Sequence, residues 1–276
     1  MEVAKYADMT MQQRGFDCFT FSDGRYEHAV FIKGSGPPVI VMHELPGFAE
    51  PLVGFADRLV NAGFRVYAPH LFGPLMWEDP TLNYARLCIS KEFGYLRANR
   101  SAPICDWLRA LANSLSEEPP GTRIGVIGMC LTGAFVIPMV IEPGVRAGVI
   151  SQPAIPISLR YVQTGRGEGD WMREMNISDE ELREATERCA RDHVPILVER
   201  FLNDRRSTHA RVERIAQAFG SNATVYEYKN PGPGPYPHAI LTSEYDLADG
   251  DPANPTRVAL QRVIAFLTTN LAPRST

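Results

Sequence analysis

The stretch that most constrains this chain is Arg123-Ile-Gly-Val-Ile-Gly-Met-Cys-Leu-Thr-Gly133. Its apolar run from Ile124 to Ile127 predicts a short buried strand. A tight turn follows, then a helix from Leu131 to about Ile141. Cys130 falls at the turn, between Gly128 and Gly133. A side chain so placed projects beyond the carboxyl end of a strand, where open α/β sheets bind ligands. It also meets a helix N-terminus, whose N–H groups and partial positive charge favour a thiolate. The glycines allow a strained turn and close helix–strand packing.

The rest of the chain supplies a sheet for this strand. Asp17-Cys-Phe-Thr-Phe and Tyr26-Glu-His-Ala-Val-Phe-Ile flank the turn signal Ser22-Asp23-Gly24 and predict an antiparallel hairpin at the sheet edge. Pro38 to His43 is a continuous apolar run, as a buried parallel strand requires. Apolar spacing predicts a helix from Pro51 to Ala62, stopped by Gly63, and a strand from Phe64 to Ala68. Residues 81–98 and 101–115 read as two helices, and Val145 to Ser151 as a strand. The glycine-rich, charged segment Arg160 to Asp170 reads as a surface loop. Ser178-Asp-Glu-Glu181 is a capping box that opens a helix to about Arg191. Val194 to Phe201 and Ala223 to Tyr228 read as strands, with a helix from Ser207 to Phe219 between them. Asn230 to Pro237 is a proline-rich loop, and Asn254 starts a final helix to about Leu271. Strands alternating with helices imply a mostly parallel sheet with right-handed crossovers. No stretch looks like a linker, so residues 1–276 are expected to form one domain; the segment at about 155–193 reads either as a cap or lid with Trp171 and Met172 facing the site, or as a plain surface excursion.

The basic residues are scattered and the net charge is −4, which argues against nucleic acid as a partner. No apolar run is long enough to span a bilayer, and the first residues hold no apolar signal segment, so a cytoplasmic protein is expected. The five cysteines are widely spaced without a C-x-x-C pair, against a disulfide framework or structural zinc. Cys18, Cys88, Cys105 and Cys189 are expected as small buried hydrophobes. No cofactor or metal is expected.

A nucleophilic cysteine needs a base, and the base needs an orienting carboxylate. One arrangement satisfies the order nucleophile, acid, histidine on loops after successive strands. Cys130 comes first, Asp204 follows the strand ending at Phe201, and His238 follows the last strand. Asp192 is the rival acid, but it precedes its strand and belongs at the other end of the sheet. His28, His43, His70, His193 and His209 lack matching positions and read as structural or exposed. The strand-turn-helix around Cys130 matches a nucleophile elbow, with G-x-C-x-x-G in place of G-x-S-x-G.

These motifs resemble the dienelactone hydrolase family, a cysteine branch of the α/β-hydrolases. Gly128-Met-Cys-Leu-Thr-Gly133 is similar to its G-Y-C-L-G-G, and His43-Glu-Leu-Pro-Gly47 to its H-E-x-x-G. Asp204 and His238 fall where the family carries its acid and base, and the resemblance runs from about Pro38 to Leu271. It implies an α/β-hydrolase fold, a mostly parallel central sheet with helices on both faces. It implies a Cys130–His238–Asp204 triad, with Glu44 contacting the resting thiol and taking its proton when substrate binds. The oxyanion hole would come from the N–H groups of Leu45 and Leu131. The substrate would be a small ester or lactone cleaved through a thioester by a monomer or homodimer; the alternative is a degenerate member that binds a small molecule without turnover. Two features depart from the family. No arginine follows His238, leaving Arg86 or Lys91 to supply a positive charge and Trp171 a contact for the substrate. Phe201-Leu-Asn-Asp204 also lacks the usual glycines before the acid.

Overall fold

The computed structural model describes residues 9–83, 91–93, 101–155, 168–231, 234, 236–248 and 250–272. Among them, strands β1 (Asp17–Ser22), β2 (Glu27–Lys33), β3 (Pro38–Met42), β4 (Arg65–Pro69), β5 (Ile124–Met129), β6 (Val145–Ser151), β7 (Ile196–Phe201) and β8 (Ala223–Tyr228) form one sheet. Its order is β1-β2-β4-β3-β5-β6-β7-β8. The hairpin β1–β2 and the β2–β4 pair are antiparallel, and every pair from β4–β3 to β7–β8 is parallel. The hairpin closes because Asp23 Oδ1 accepts from the N–H groups of Arg25 (2.8 Å) and Tyr26 (2.7 Å), while Gly24 takes φ +88°.

The central strands are apolar on both faces because both faces are covered. Alternate residues of β3 divide between two cores. Val39 and Val41 pack with Phe55 and Leu59 of α1 (Glu50–Asn61) and with the last helix. Ile40 and Met42 belong to the opposite core, with Trp107 and Leu111 of α2 (Ile104–Glu117). Burying each such side chain stabilises the fold by about 1.5–3 kcal/mol. The elbow segment continues into α3 (Val136–Met139), and α4 (Glu168–Arg173), α5 (Asp179–Asp192), α6 (His209–Phe219), α7 (Ser243–Leu247) and α8 (Pro255–Leu271) follow among the described residues. Cys189 of α5 and Ile215 of α6 lie in the same core as Trp107.

Side-chain caps set several of these starts. Ser178 Oγ accepts from Glu181 N–H at 3.2 Å, as the capping box predicts. Thr208 Oγ1 accepts from Arg211 N–H at 3.3 Å, so α6 begins at His209 rather than Ser207. Asn254 Oδ1 accepts from Thr256 N–H at 3.1 Å. Each cap contributes about 1 kcal/mol.

Four expectations need correction. Residues 81–98 are not one helix, because 91–93 form a turn that plants Phe93 against Phe72 and Phe135, with ring centroids 5.5 and 6.2 Å away. Cys18 is exposed rather than buried, because it sits on edge strand β1. Residues 168–170 are helical rather than loop, since α4 packs on α6; residues 160–167 and Cys88 lie outside the described residues. Helix α7 has no counterpart in the sequence reading, as its five residues are too few for a periodic signal. Among the described residues no helix is long and apolar enough to cross a membrane.

Candidate active site

The elbow itself differs from the expected helix. Cys130 opens a 3₁₀ helix, Cys130–Phe135, and α3 follows for four residues only. Pro138 offers no N–H to continue an α-helical ladder, which accounts for the short, tight form. The strain falls on the cysteine: Cys130 has φ +53°, in the region where a side chain costs about 1–3 kcal/mol. Gly128 is required by close approach, because a Cβ there would lie 2.2 Å from the Thr132 carbonyl oxygen. The Thr132 hydroxyl accepts from Met129 N–H at 3.0 Å and lies 3.2 Å from the His43 carbonyl oxygen, to which it can donate. Thus the elbow is tied to the end of β3, the strand that delivers Glu44.

His43 fixes that end. Its ring is fully buried; Nδ1 donates to the Glu44 carbonyl at 3.0 Å and Nε2 accepts from Leu71 N–H at 3.1 Å. Burial holds its pKa down at about 3, so it is a neutral strut between the loops after β3 and β4. Glu44 is 8% exposed and receives a hydrogen bond from the Thr242 hydroxyl. Burial pushes its carboxyl up, outweighing the His238 charge and the Thr242 bond. Thr242 was missed by sequence reasoning; the only signal is its place four residues after His238.

Asp204 and His238 meet beyond the ends of β7 and β8. His238 Nδ1 lies 2.7 Å from Asp204 Oδ2, with both side chains buried. The other Asp204 oxygen accepts from Arg206 N–H (2.8 Å) and Ser207 N–H (3.1 Å). Arg200 replaces the missing glycines in holding this loop: its buried guanidinium donates to the carbonyls of Ser207 (2.7 Å), Leu202 (3.1 Å) and Asp204 (3.1 Å) and pairs with Glu227. Asp192 lies elsewhere, paired with Arg188 and Arg191. Desolvation opposes a charge on His238, but the Cys130 thiolate and Asp204 prevail, and its pKa is pushed up to about 10. The Cys130 sulfur, a ring nitrogen of His238 and a carboxylate oxygen of Glu44 lie within 4.8 Å of one another.

All three line a cavity of about 760 Å³. Leu45 lines it too, and Leu131 is buried directly after Cys130. Trp171 forms part of the wall, its carbonyl accepting from Arg211 at 3.0 Å, whereas Met172 is absent from the lining and its carbonyl accepts from the Thr208 hydroxyl. Lys91 is exposed, on the turn that plants Phe93, and is not among the residues lining this cavity. Arg86 lies outside the described residues. Arg205 and Arg206 line the cavity. The Arg205 guanidinium stacks 3.6 Å from the Tyr236 ring centroid. Their sequence signal was proximity to Asp204, where they read as its partners.

A model of the dienelactone hydrolase family matches residues 29–269. The chain belongs to the dienelactone hydrolase family. Membership places it among hydrolases of the ester-cleaving type. Solved structures carry the same α/β-hydrolase architecture. A putative dienelactone hydrolase from Klebsiella pneumoniae subsp. pneumoniae is 17% identical, with a TM-score of 0.57, covering 92% of this chain and 98% of that one. A dienelactone hydrolase from Anabaena variabilis is 13% identical, with a TM-score of 0.58 and coverage of 93% and 98%. A dienelactone hydrolase-like promiscuous phosphotriesterase from metagenomic libraries is 15% identical, with a TM-score of 0.57 and the same coverages. No curated protein matches in sequence.

Proposed function

We propose that this member of the family hydrolyses small esters or lactones through a thioester on Cys130, with His238 as general base and acid and Asp204 as its orienting carboxylate. The observation that carries this reading is the 2.7 Å Asp204–His238 contact behind a cysteine strained to φ +53° on the elbow.

The Cys130 thiolate attacks the substrate carbonyl carbon. The oxyanion is taken by the N–H groups of Leu131 and Leu45, which stabilise charge only as it develops. The carbon–oxygen bond of the ester breaks, and the leaving alkoxide takes the proton of the His238 imidazolium. Neutral His238 then removes a proton from water, whose oxygen attacks the thioester and returns the sulfur as thiolate. Asp204 holds Nδ1 of the ring, so Nε2 is the working nitrogen. Glu44 faces the resting thiol and takes its proton only when substrate binds, so the sulfur stays neutral and less open to oxidation until then. Trp171 and Leu45 give the acyl group an apolar wall, and Arg205 and Arg206 give it a positive rim.

The binding-only alternative rests on the missing arginine after His238 and on the surroundings of Asp204, and the Arg200 clamp accounts for the second. The test is turnover of p-nitrophenyl acetate and of a small unsubstituted lactone by the reduced protein. Hydrolysis of both well above buffer is expected; no release above buffer from either would contradict the proposal.

A further inference from the structure

We propose that Glu44, Cys130 and His238 form a binding site for a zinc-class divalent cation, and that the bound cation silences the cysteine. The site stands on the donors and their placement, while the silencing rests on the reaction proposed above.

The donor set suits such an ion. A thiolate, an imidazole and a carboxylate are the three ligand types that zinc combines, whereas magnesium and calcium prefer oxygen alone. The three donor atoms already lie within 4.8 Å of one another. Tetrahedral zinc, with bonds of about 2.0–2.3 Å, places its donors roughly 3.5 Å apart, so closure needs about an ångström of side-chain rotation. Each donor comes from a different anchored loop: Glu44 after β3, Cys130 on the elbow after β5, His238 after β8.

The surroundings are also prepared. Nε2 of His238 is fully buried and has no hydrogen-bond partner meeting ordinary geometry, while Nδ1 is engaged by Asp204 at 2.7 Å. That leaves Nε2 as the ligating nitrogen, with a carboxylate behind the ring, the arrangement that strengthens metal-bound histidines. The Thr242 hydroxyl bonds to one Glu44 oxygen. One thiolate and one carboxylate balance a divalent ion, so the occupied site is neutral, which favours it in a buried pocket. The cavity that reaches all three residues supplies the entry path and room for a solvent ligand in the fourth position.

On binding, the zinc–sulfur, zinc–nitrogen and zinc–oxygen bonds form, waters leave the ion, and the Nε2 proton and the proton shared by Cys130 and Glu44 at rest go to solvent. The sulfur lone pair and the imidazole lone pair are then both occupied, so nucleophile and base are lost together. No electron is transferred, and a chelator reverses the step.

The probe is cobalt(II), added to the reduced, metal-free full chain. A thiolate-to-cobalt charge-transfer band is expected to saturate at one equivalent and to be displaced by zinc. It should vanish in Cys130→Ser and persist in Cys18→Ser, whose thiol is exposed on the edge strand. Glu44→Gln should weaken cobalt affinity at least about tenfold. Zinc should abolish p-nitrophenyl acetate turnover and a chelator should restore it. No band, a band surviving Cys130→Ser, or unchanged affinity in Glu44→Gln would overturn the site. Faster turnover with zinc bound would overturn the silencing. A chain that shows the band but never turns over esters keeps the metal site and loses the proposed reaction.

Discussion

Cys130→Ala is expected to lower kcat/KM for p-nitrophenyl acetate by about 10³-fold or more, with the thermal midpoint nearly unchanged. The loss is large because the substitution removes the atom that forms the covalent intermediate. What remains is a buried histidine and two backbone donors, which can only help water attack directly. The fold is expected to survive because alanine at φ +53° carries a strain like that of cysteine, and the side chain is small. Cys130→Ser is also expected to be poor, since a hydroxyl holds its proton far more tightly than a thiol and is a weaker nucleophile at neutral pH. Steady-state kinetics with circular dichroism separates the two readings: lost activity with intact structure supports the nucleophile, and equal rates contradict it.

A second large effect lies away from the reacting atoms. Glu199 on β7 is completely buried, with one carboxyl oxygen accepting from the Ser151 hydroxyl at 2.9 Å and the other unpartnered. Burial raises its pKa from 4.5 to about 7. The native chain therefore binds more protons than the unfolded chain between these values, and stability falls as pH rises through that window. Below about 4.5 both states hold the proton and the penalty is absent; above about 7 it is complete. The gap corresponds to about 3 kcal/mol. Glu199→Gln keeps an acceptor for Ser151 and carries no charge. Urea unfolding should show the variant gaining about 3 kcal/mol over wild type at pH 8 relative to the same comparison at pH 5. An equal difference at both pH values would contradict this account of the buried carboxyl.

Much of the scaffold was legible in local signals. Continuous apolar runs such as Pro38–Met42 and Ile124–Met129 suit strands buried on both faces, and the structure has them at the sheet centre. The order of Cys130, Asp204 and His238 along alternating strands also brought the three residues to one end of the sheet. Other parts were not legible, because they depend on contacts across the sequence. Arg200 reads as an ordinary charged residue in a strand until its guanidinium is seen gathering three carbonyls of the acid loop. Thr242 has no motif, and its bond to Glu44 spans most of the chain. Arg205 and Arg206 looked like partners of Asp204, yet Asp204 takes backbone N–H groups from this loop and leaves the two guanidinium groups to the cavity. The turn at 91–93 serves the burial of Phe93, which periodicity alone cannot distinguish from one more helical face.

The central claim is that acyl groups pass through the sulfur of Cys130. Its most direct measurement is mass spectrometry of the protein mixed with p-nitrophenyl acetate and quenched in acid within the first turnover. The account predicts one acetyl group on the peptide carrying Cys130, disappearing as the reaction is allowed to run on. An acetyl group on another residue, or product released while Cys130 stays unmodified at every time point, would contradict it.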